Sequence, residues 1–230
     1  MAEDASALHL LLAADPALLA IVRLSLAVSL SAVACATLLG VPLGALIALT
    51  HFPGRGAVIV TVNAMMGLPP VMVGLALYLT LSRSGPLGDW GLLFTPAAMI
   101  AAQTVLVLPI IAALTRQTVE DLWLEYRDEL AAMHVGVIGR VGTLIWDARF
   151  SLVTAVLAGF GRAAAEVGAV IIVGGNIDGF TRVMTTAIAL ETSKGSLPLA
   201  VGLGVILLAI VIAVNALAWI VRRAGERVSG

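Results

Sequence analysis

The chain has 230 residues, of which 60% are hydrophobic and only 12% are charged, and its formal net charge is −1 at pH 7. Soluble domains carry about a quarter charged residues, so this composition excludes an ordinary soluble fold and predicts an integral membrane protein. The near-neutral charge also argues against a nucleic-acid partner, which generally binds a basic patch.

The N-terminal segment, residues 1–19, is acidic at its start and lacks the basic region of a cleaved signal peptide. Five continuous apolar stretches follow, and each is long enough to cross a hydrocarbon core of about 30 Å as a helix. The predicted spans are residues 20–49, 57–81, 96–114, 150–173 and 197–221. The predicted fold class is therefore all-α, a polytopic membrane bundle of about five transmembrane helices.

Four prolines, Pro42, Pro69, Pro70 and Pro109, fall inside these predicted spans. A proline interrupts the helical hydrogen bonds, and within a bundle the neighbouring helices or waters can satisfy the freed carbonyl groups. The prolines are consistent with helices that kink around a transport path, and equally with helix packing alone.

The distribution of positive charge predicts the orientation in the membrane. The loops 50–56 and 115–149, together with the tail after the fifth span, carry eight of the thirteen Lys and Arg residues. The opposite side carries four, and Arg162 lies inside a span. Since cytoplasmic loops are enriched in Lys and Arg, we expect the N-terminus outside and the tail 223–230 in the cytoplasm.

The loop 115–149 is the most polar part of the chain and contains no proline. Its apolar residues recur at helical spacing, which predicts one or two short cytoplasmic helices: Leu122, Tyr126, Leu130 and Met133. Acidic residues outnumber basic ones before Ala131 and Ala132, and an acidic helix is poorly suited to an anionic leaflet. A docking site for a cytoplasmic partner is thus favoured over a helix that rests on lipid.

Several segments resemble one family of transporters. Residues 131–136, AAMHVG, resemble the "EAA" signature of type I ABC-importer permeases, with Leu130 at the position of the Glu and Glu129 just before it. Five further segments resemble the family and occur in the same order along the chain as in its members: 38–44, 67–75, 161–169, 173–177 and 184–188. Within the oxyanion branch, for tungstate, molybdate and sulfate, the chain is most similar to the tungstate-type permeases.

The resemblance implies that residues 20–222 form the transmembrane domain of an importer in a bacterial or archaeal plasma membrane, and that 115–149 is its coupling loop. The implied partners are membrane lipid, a second copy of the chain, two cytoplasmic ATPase subunits and an extracytoplasmic anion-binding protein. The residues that would contact the ATPase are Glu129, Ala131, Ala132 and Gly136. The implied substrate is a tetrahedral oxyanion, most like tungstate, with molybdate or sulfate as alternatives.

No catalytic, cofactor or metal site is predicted in the chain itself. It has no G-x-x-x-x-G-K-[ST] phosphate loop, so ATP and Mg²⁺ would be bound by the partner ATPase. The alternative from another class, an intramembrane enzyme, would need convergent catalytic groups within the spans, and no H-E-x-x-H, G-x-S-x-G or paired intramembrane Asp occurs.

The charges inside the membrane are the candidates for the anion path, because a charge at that depth is costly. Arg162 and Glu166 are four residues apart and share a helix face, so they form either a packing pair or a source of positive potential. A Gly-rich stretch further on could offer backbone N–H groups and side-chain donors to an oxyanion, or form an ordinary turn. Its candidates are Gly174, Gly175, Asn176, Thr181 and Arg182.

Overall fold

The computed structural model describes residues 16–229, so most of the N-terminal segment 1–19 lies outside the described residues. Every regular element in the described part is a helix, which confirms the predicted all-α class. Its nine α-helices are α1 (Pro16–Leu49), α2 (Arg55–Met65), α3 (Pro70–Leu81), α4 (Pro96–Ala132), α5 (Val137–Asp147), α6 (Arg149–Ala164), α7 (Gly168–Gly174), α8 (Met184–Ser193) and α9 (Leu197–Ser229). A short 3-10 helix, Gly88–Trp90, precedes α4.

Three of these helices are long and apolar enough to cross a membrane: α1, α4 and the part of α9 up to Ile220. Two bent pairs also pass this test when their helices are taken together, α2 with α3 and α5 with α6. The described residues therefore contain three candidate spans, or five if each bent pair counts as one.

The predicted second span, 57–81, is divided into α2 and α3, which meet at an angle of 100°. Pro70 is the first residue of α3 and Pro69 has an extended backbone, with ψ 120°. A proline has no N–H to continue the preceding helix, but it fits the first turn of a new one. By contrast, α1 and α4 continue through Pro42 and Pro109.

The predicted third span ends at residue 114, whereas α4 continues to Ala132. The segment 115–132 becomes polar but contains neither Gly nor Pro, so nothing in the backbone ends the helix there. The helix stops at a turn in which His134 adopts a left-handed conformation, with φ 52°. One short helix, α5, then completes the loop.

The predicted fourth span, 150–173, contains a break. Helix α6 ends at Ala164 and α7 begins at Gly168. At its other end, α6 meets α5 across Ala148, and the two helices are bent by 78°. The segment 174–196, which follows α7, contains the ten-residue helix α8.

The described residues form two compact units, one of 16–32, 69–103 and 161–215, and one of 33–68, 104–160 and 216–229. Each has its own apolar core. A core cluster of the first unit consists of Leu18, Met184, Ala187, Leu203 and Ile206. A cluster of the second consists of Ala45, Ala48, Leu49, Val119, Leu130 and Leu144.

Glycine permits a very close approach of α1 and α4 in the second unit. A Cβ atom added at Gly44 would lie 2.9 Å from the Cβ atom of Thr115 and closer still to the carbonyl oxygen of Ala112. A backbone carbonyl cannot rotate away as a flexible side chain can. A residue with a Cβ atom at position 44 would therefore force α1 and α4 apart. Gly44 belongs to the segment 38–44, which resembles the permease family. The close approach of α1 and α4 explains why position 44 needs a residue without a side chain.

Substitution Gly44→Ala should therefore destabilise the protein by about 1–3 kcal/mol, the usual cost of overpacking. The measurement is the thermal unfolding midpoint of the purified chain in detergent. Gly204→Ala in α9 is the matched control, since a Cβ atom there meets no atom within 4 Å. Equal midpoints for the two variants would contradict the close approach of α1 and α4.

Candidate functional site

The end of α4, the turn 133–136 and the start of α5 form an exposed projection of the second unit, here called the α4–α5 tip (residues 129–138). Leu130 is buried in the core of this unit, and Leu144 of α5 packs in the same cluster. In contrast, Met133 is 72% exposed and Ile138 is 87% exposed. The tip therefore presents large apolar side chains on a surface that its own core holds in place.

The four residues predicted to contact an ATPase all lie exposed on this tip: Glu129, Ala131, Ala132 and Gly136. Gly136 has φ −70° and ψ 167°, a conformation open to any residue. A Cβ atom added there meets nothing within 4 Å. The described part of the chain thus gives no internal reason for a small residue at position 136.

Polar and aromatic contacts fix α5 against α4. The Arg140 side chain donates a hydrogen bond from Nε to the Val135 carbonyl at 2.7 Å, and its guanidinium lies 5.1 Å from the centre of the Trp123 ring. At the other end of α5, the negative charge of Asp147 raises the pKa of the Tyr126 phenol. The two contacts of Arg140 hold the start of α5 on α4 and make the tip a defined surface.

An ion-pair network lies further back on α4. The Glu120 carboxylate pairs with both Arg55 and Arg116. Arg55 also donates from Nε to the Ile47 carbonyl at 2.8 Å and from Nη2 to the Ala48 carbonyl at 3.3 Å, near the C-terminus of α1. Cations near a helix C-terminus satisfy its last carbonyl groups. The network therefore ties α1, α2 and α4 together on the helix that carries the tip.

The break between α6 and α7, in the first unit, is organised around Glu166, whose side chain is only 2% exposed. Its Oε2 accepts a hydrogen bond from Arg162 Nη1 at 2.5 Å, and its Oε1 accepts one from the Ala169 N–H at 2.9 Å. Thr185 Oγ1 donates to the Glu166 carbonyl at 2.9 Å. Both carboxylate oxygens thus hold the break, while the Arg162 side chain remains 28% exposed.

Two side chains that stabilise this region were not among the predicted site residues. Gln103 of α4 donates from Nε2 to the Ala163 carbonyl at 3.0 Å, the last turn of α6. Ser25 of α1 accepts the Met184 N–H at 2.7 Å, at the start of α8. In both cases a polar residue within an apolar helix could have indicated a buried hydrogen bond. The sequence does not reveal which backbone group is the partner.

The Gly-rich turn after α7 uses several of the donors that the sequence offers. Thr181 is fully buried; its Oγ1 donates to the Gly174 carbonyl at 2.6 Å and accepts the Ile177 N–H at 2.9 Å. The Gly175 N–H bonds to the Ile171 carbonyl at 3.0 Å. This N–H is therefore engaged in capping the C-terminus of α7, where Gly175 has φ 73°, and an anion-binding role for the turn stays a prediction.

The remaining candidates of the turn have different surroundings. A Cβ atom at Gly174 would lie 3.0 Å from the Met99 side chain, so this glycine allows close packing. Asn176 has φ 51°, and its Oδ1 is buried with no hydrogen-bond partner among the described residues. Arg182 pairs with Asp178 at 2.9 Å. Within residues 16–229, no three His, Cys, Asp or Glu side chains are grouped as metal ligands.

Comparison with known proteins finds several similar permeases. The chain is 43% identical over 205 residues to a probable anion ABC transporter permease protein of Haloferax volcanii, covering 87% of this chain and 88% of that protein. It is 39% identical over 211 residues to the tungstate uptake system permease protein TupB of Peptoclostridium acidaminophilum, covering 92% of each. TupB of Campylobacter jejuni is 41% identical over 154 residues, covering 67% of this chain and 64% of that protein.

Permeases named for molybdenum and sulfate transport are also similar, with 26% identity over 178 and 196 residues in Azotobacter vinelandii and Synechocystis. No family model matches the chain.

Proposed function

The chain belongs to the oxyanion branch of ABC transporter permeases, and on that premise we propose that it forms the membrane path of an importer for tungstate. The observation that carries this choice is the difference in identity: 39% and 41% to two tungstate permeases against 26% to 28% for molybdenum and sulfate permeases. As a permease subunit it is a transport component and not an enzyme.

The proposed arrangement places two copies side by side, with the N-terminus outside, the C-terminus in the cytoplasm and the anion path between the copies. Arg162 and Arg182 would supply positive potential along this path. Each is paired with one carboxylate, Glu166 or Asp178, so each site would attract an anion only weakly. Weak sites suit transport, because a tight site would retain the ion.

The α4–α5 tip is the proposed docking site for a cytoplasmic ATPase subunit, two of which would serve the two copies. Three features support this role: the exposed Met133 and Ile138 side chains, the open space around Gly136, and the acidic residues before them. Because α4 is one unbroken helix from Pro96 to Ala132, a displacement of the tip moves the apolar part of the same helix. ATP would bind with Mg²⁺ at the partner, and hydrolysis of the ATP would drive alternating access.

An extracytoplasmic protein would deliver the anion to the outer side. Tungstate and molybdate share charge and shape, so selection between them would rest largely on that protein.

The test is anion uptake in cells with and without this subunit, with tungsten and molybdenum measured by mass spectrometry and sulfate by isotope label. Deletion should lower tungsten accumulation severalfold and leave molybdenum unchanged, and the reintroduced chain should restore tungsten. If molybdenum or sulfate accumulation falls instead, the tungstate assignment is wrong. If no oxyanion is affected, the import role itself fails.

A further inference from the structure

Helices α1, α6 and α9 line a groove on the surface of the second unit, with a volume of about 540 Å³. Its walls are nearly all aliphatic and include Leu38 and Val41 of α1, Leu152 and Val156 of α6, and Ala218 of α9. The volume falls within the range of about 300–1,000 Å³ that is typical of ligand sites. Leu38 is 75% exposed, so the groove opens outward along α1.

One end of this groove carries a cation. Arg149, the first residue of α6, is part of its lining. The guanidinium lies 4.8 Å from the centre of the Trp146 ring and 4.4 Å from that of Phe150, and Nη1 donates to the Trp146 carbonyl at 2.7 Å. These contacts hold the positive charge at the end of the apolar surface.

Arg149 makes no ion pair with a carboxylate in the described part of the chain. The cation thus keeps most of its donors for a ligand.

More positive charge follows on α9. Arg222 lies one turn after Ala218 and donates to Thr154 Oγ1 at 3.2 Å. Arg223 lies over the Trp219 ring, 4.5 Å from its centre. Trp residues beside Arg residues are characteristic of the boundary between membrane and water. An apolar groove that ends in such a boundary matches a molecule with a hydrocarbon chain and an anionic head.

We propose that this groove binds an anionic phospholipid, with an acyl chain between α1 and α6 and the phosphate at Arg149. Basic pockets between membrane helices are known to take such head groups. If a second copy of the chain docked through this face, its arginines would lie close to Arg149 and repel it. A lipid phosphate would instead neutralise the positive charge of Arg149. This site does not depend on which anion the permease transports.

The experiment uses the full chain, purified with its partner subunits and reconstituted in phosphatidylcholine vesicles. Brominated phosphatidylglycerol or brominated phosphatidylcholine is added at equal mole fractions, and tryptophan quenching is measured. Phosphatidylglycerol should quench more strongly, because it is enriched next to Trp146. The excess should disappear in Trp146→Phe, which keeps an aromatic ring beneath the guanidinium but removes the reporter. Equal quenching of the native complex by both lipids would overturn the proposal.

Two further variants separate the charge from the groove. Arg149→Gln should raise the phosphatidylglycerol fraction needed for half-maximal excess quenching about fivefold, the enrichment that one arginine provides at an anionic surface. Arg83→Gln, which changes an exposed arginine outside this unit, is the matched control and should have no effect. Ala218→Leu, which narrows the groove without changing charge, should also weaken the excess.

An unchanged excess in both Arg149→Gln and Ala218→Leu would show that lipid is attracted elsewhere and would refute the site. If Ala218→Leu instead changes the number of chain copies in the complex, a second copy fills the groove and the proposal is wrong.

Discussion

Replacing Gly136 with methionine should strongly reduce ATP-driven uptake and leave the permease folded. In the isolated chain a Cβ atom added at this position meets no atom within 4 Å, and the backbone angles suit any residue. A new side chain therefore costs nothing in the chain's own packing. At the proposed interface it would hold the ATPase away from the tip, where the displaced close contacts are worth about 2 kcal/mol or more.

Three measurements check this prediction: anion uptake, co-purification of the ATPase subunit, and the unfolding midpoint of the permease. We expect the first two to fall by at least about tenfold, since each 1.4 kcal/mol changes an equilibrium tenfold. The midpoint should not change. Gly142→Met is the matched control, because Gly142 lies on α5, the helix that Gly136 precedes, and a Cβ atom there also meets no atom within 4 Å. A Gly136→Met complex that retains its ATPase and transports normally would exclude docking at this position.

Removal of the Glu166 carboxylate should have the largest effect on folding. The Glu166→Ala variant loses the acceptor for the Ala169 N–H and leaves Arg162 without its partner in a largely apolar region. Breaking a buried ion pair from one side costs about 3–5 kcal/mol, and we expect about 2–3 kcal/mol here because the Arg162 side chain is partly exposed. The unfolding midpoint in detergent should fall by about 5–10 °C.

The contrasting variants Glu166→Gln and Arg162→Gln distinguish a packing role from a role in the anion path. Glu166→Gln keeps an acceptor for the Ala169 N–H, so its midpoint should lie between those of the native chain and Glu166→Ala. If the midpoint of Glu166→Ala equals that of the native chain, the carboxylate does not hold the break. Full uptake by Arg162→Gln at normal expression would exclude a role for this charge in transport.

The predicted membrane class and helical fold rested on local properties that the chain retains in any environment. The free energy of transfer from water to lipid is a sum over the side chains of a segment, so a long apolar run is recognisable without knowledge of its neighbours. The segment around Ala131, Ala132 and Gly136 was also recognisable locally, because its resemblance to a family signature depends only on consecutive residues, and its role in docking stays a prediction. Five spans were predicted, and the described residues contain three to five candidates.

Tertiary structure decided where the helices end and which polar groups are already engaged. The change to polar residues near 115 suggested the end of a helix, but α4 continues because the backbone meets no obstacle before residue 133. Glu166 holds a helix break, and Thr181 closes a turn through bonds to Gly174 and Ile177. Hydropathy records the affinity of a segment for lipid, whereas the partner of a hydrogen bond is set by groups that only folding brings together. The sequence alone therefore determined that this chain crosses a membrane and which transporter family it resembles, and the fold decided which of its donors and charges remain available.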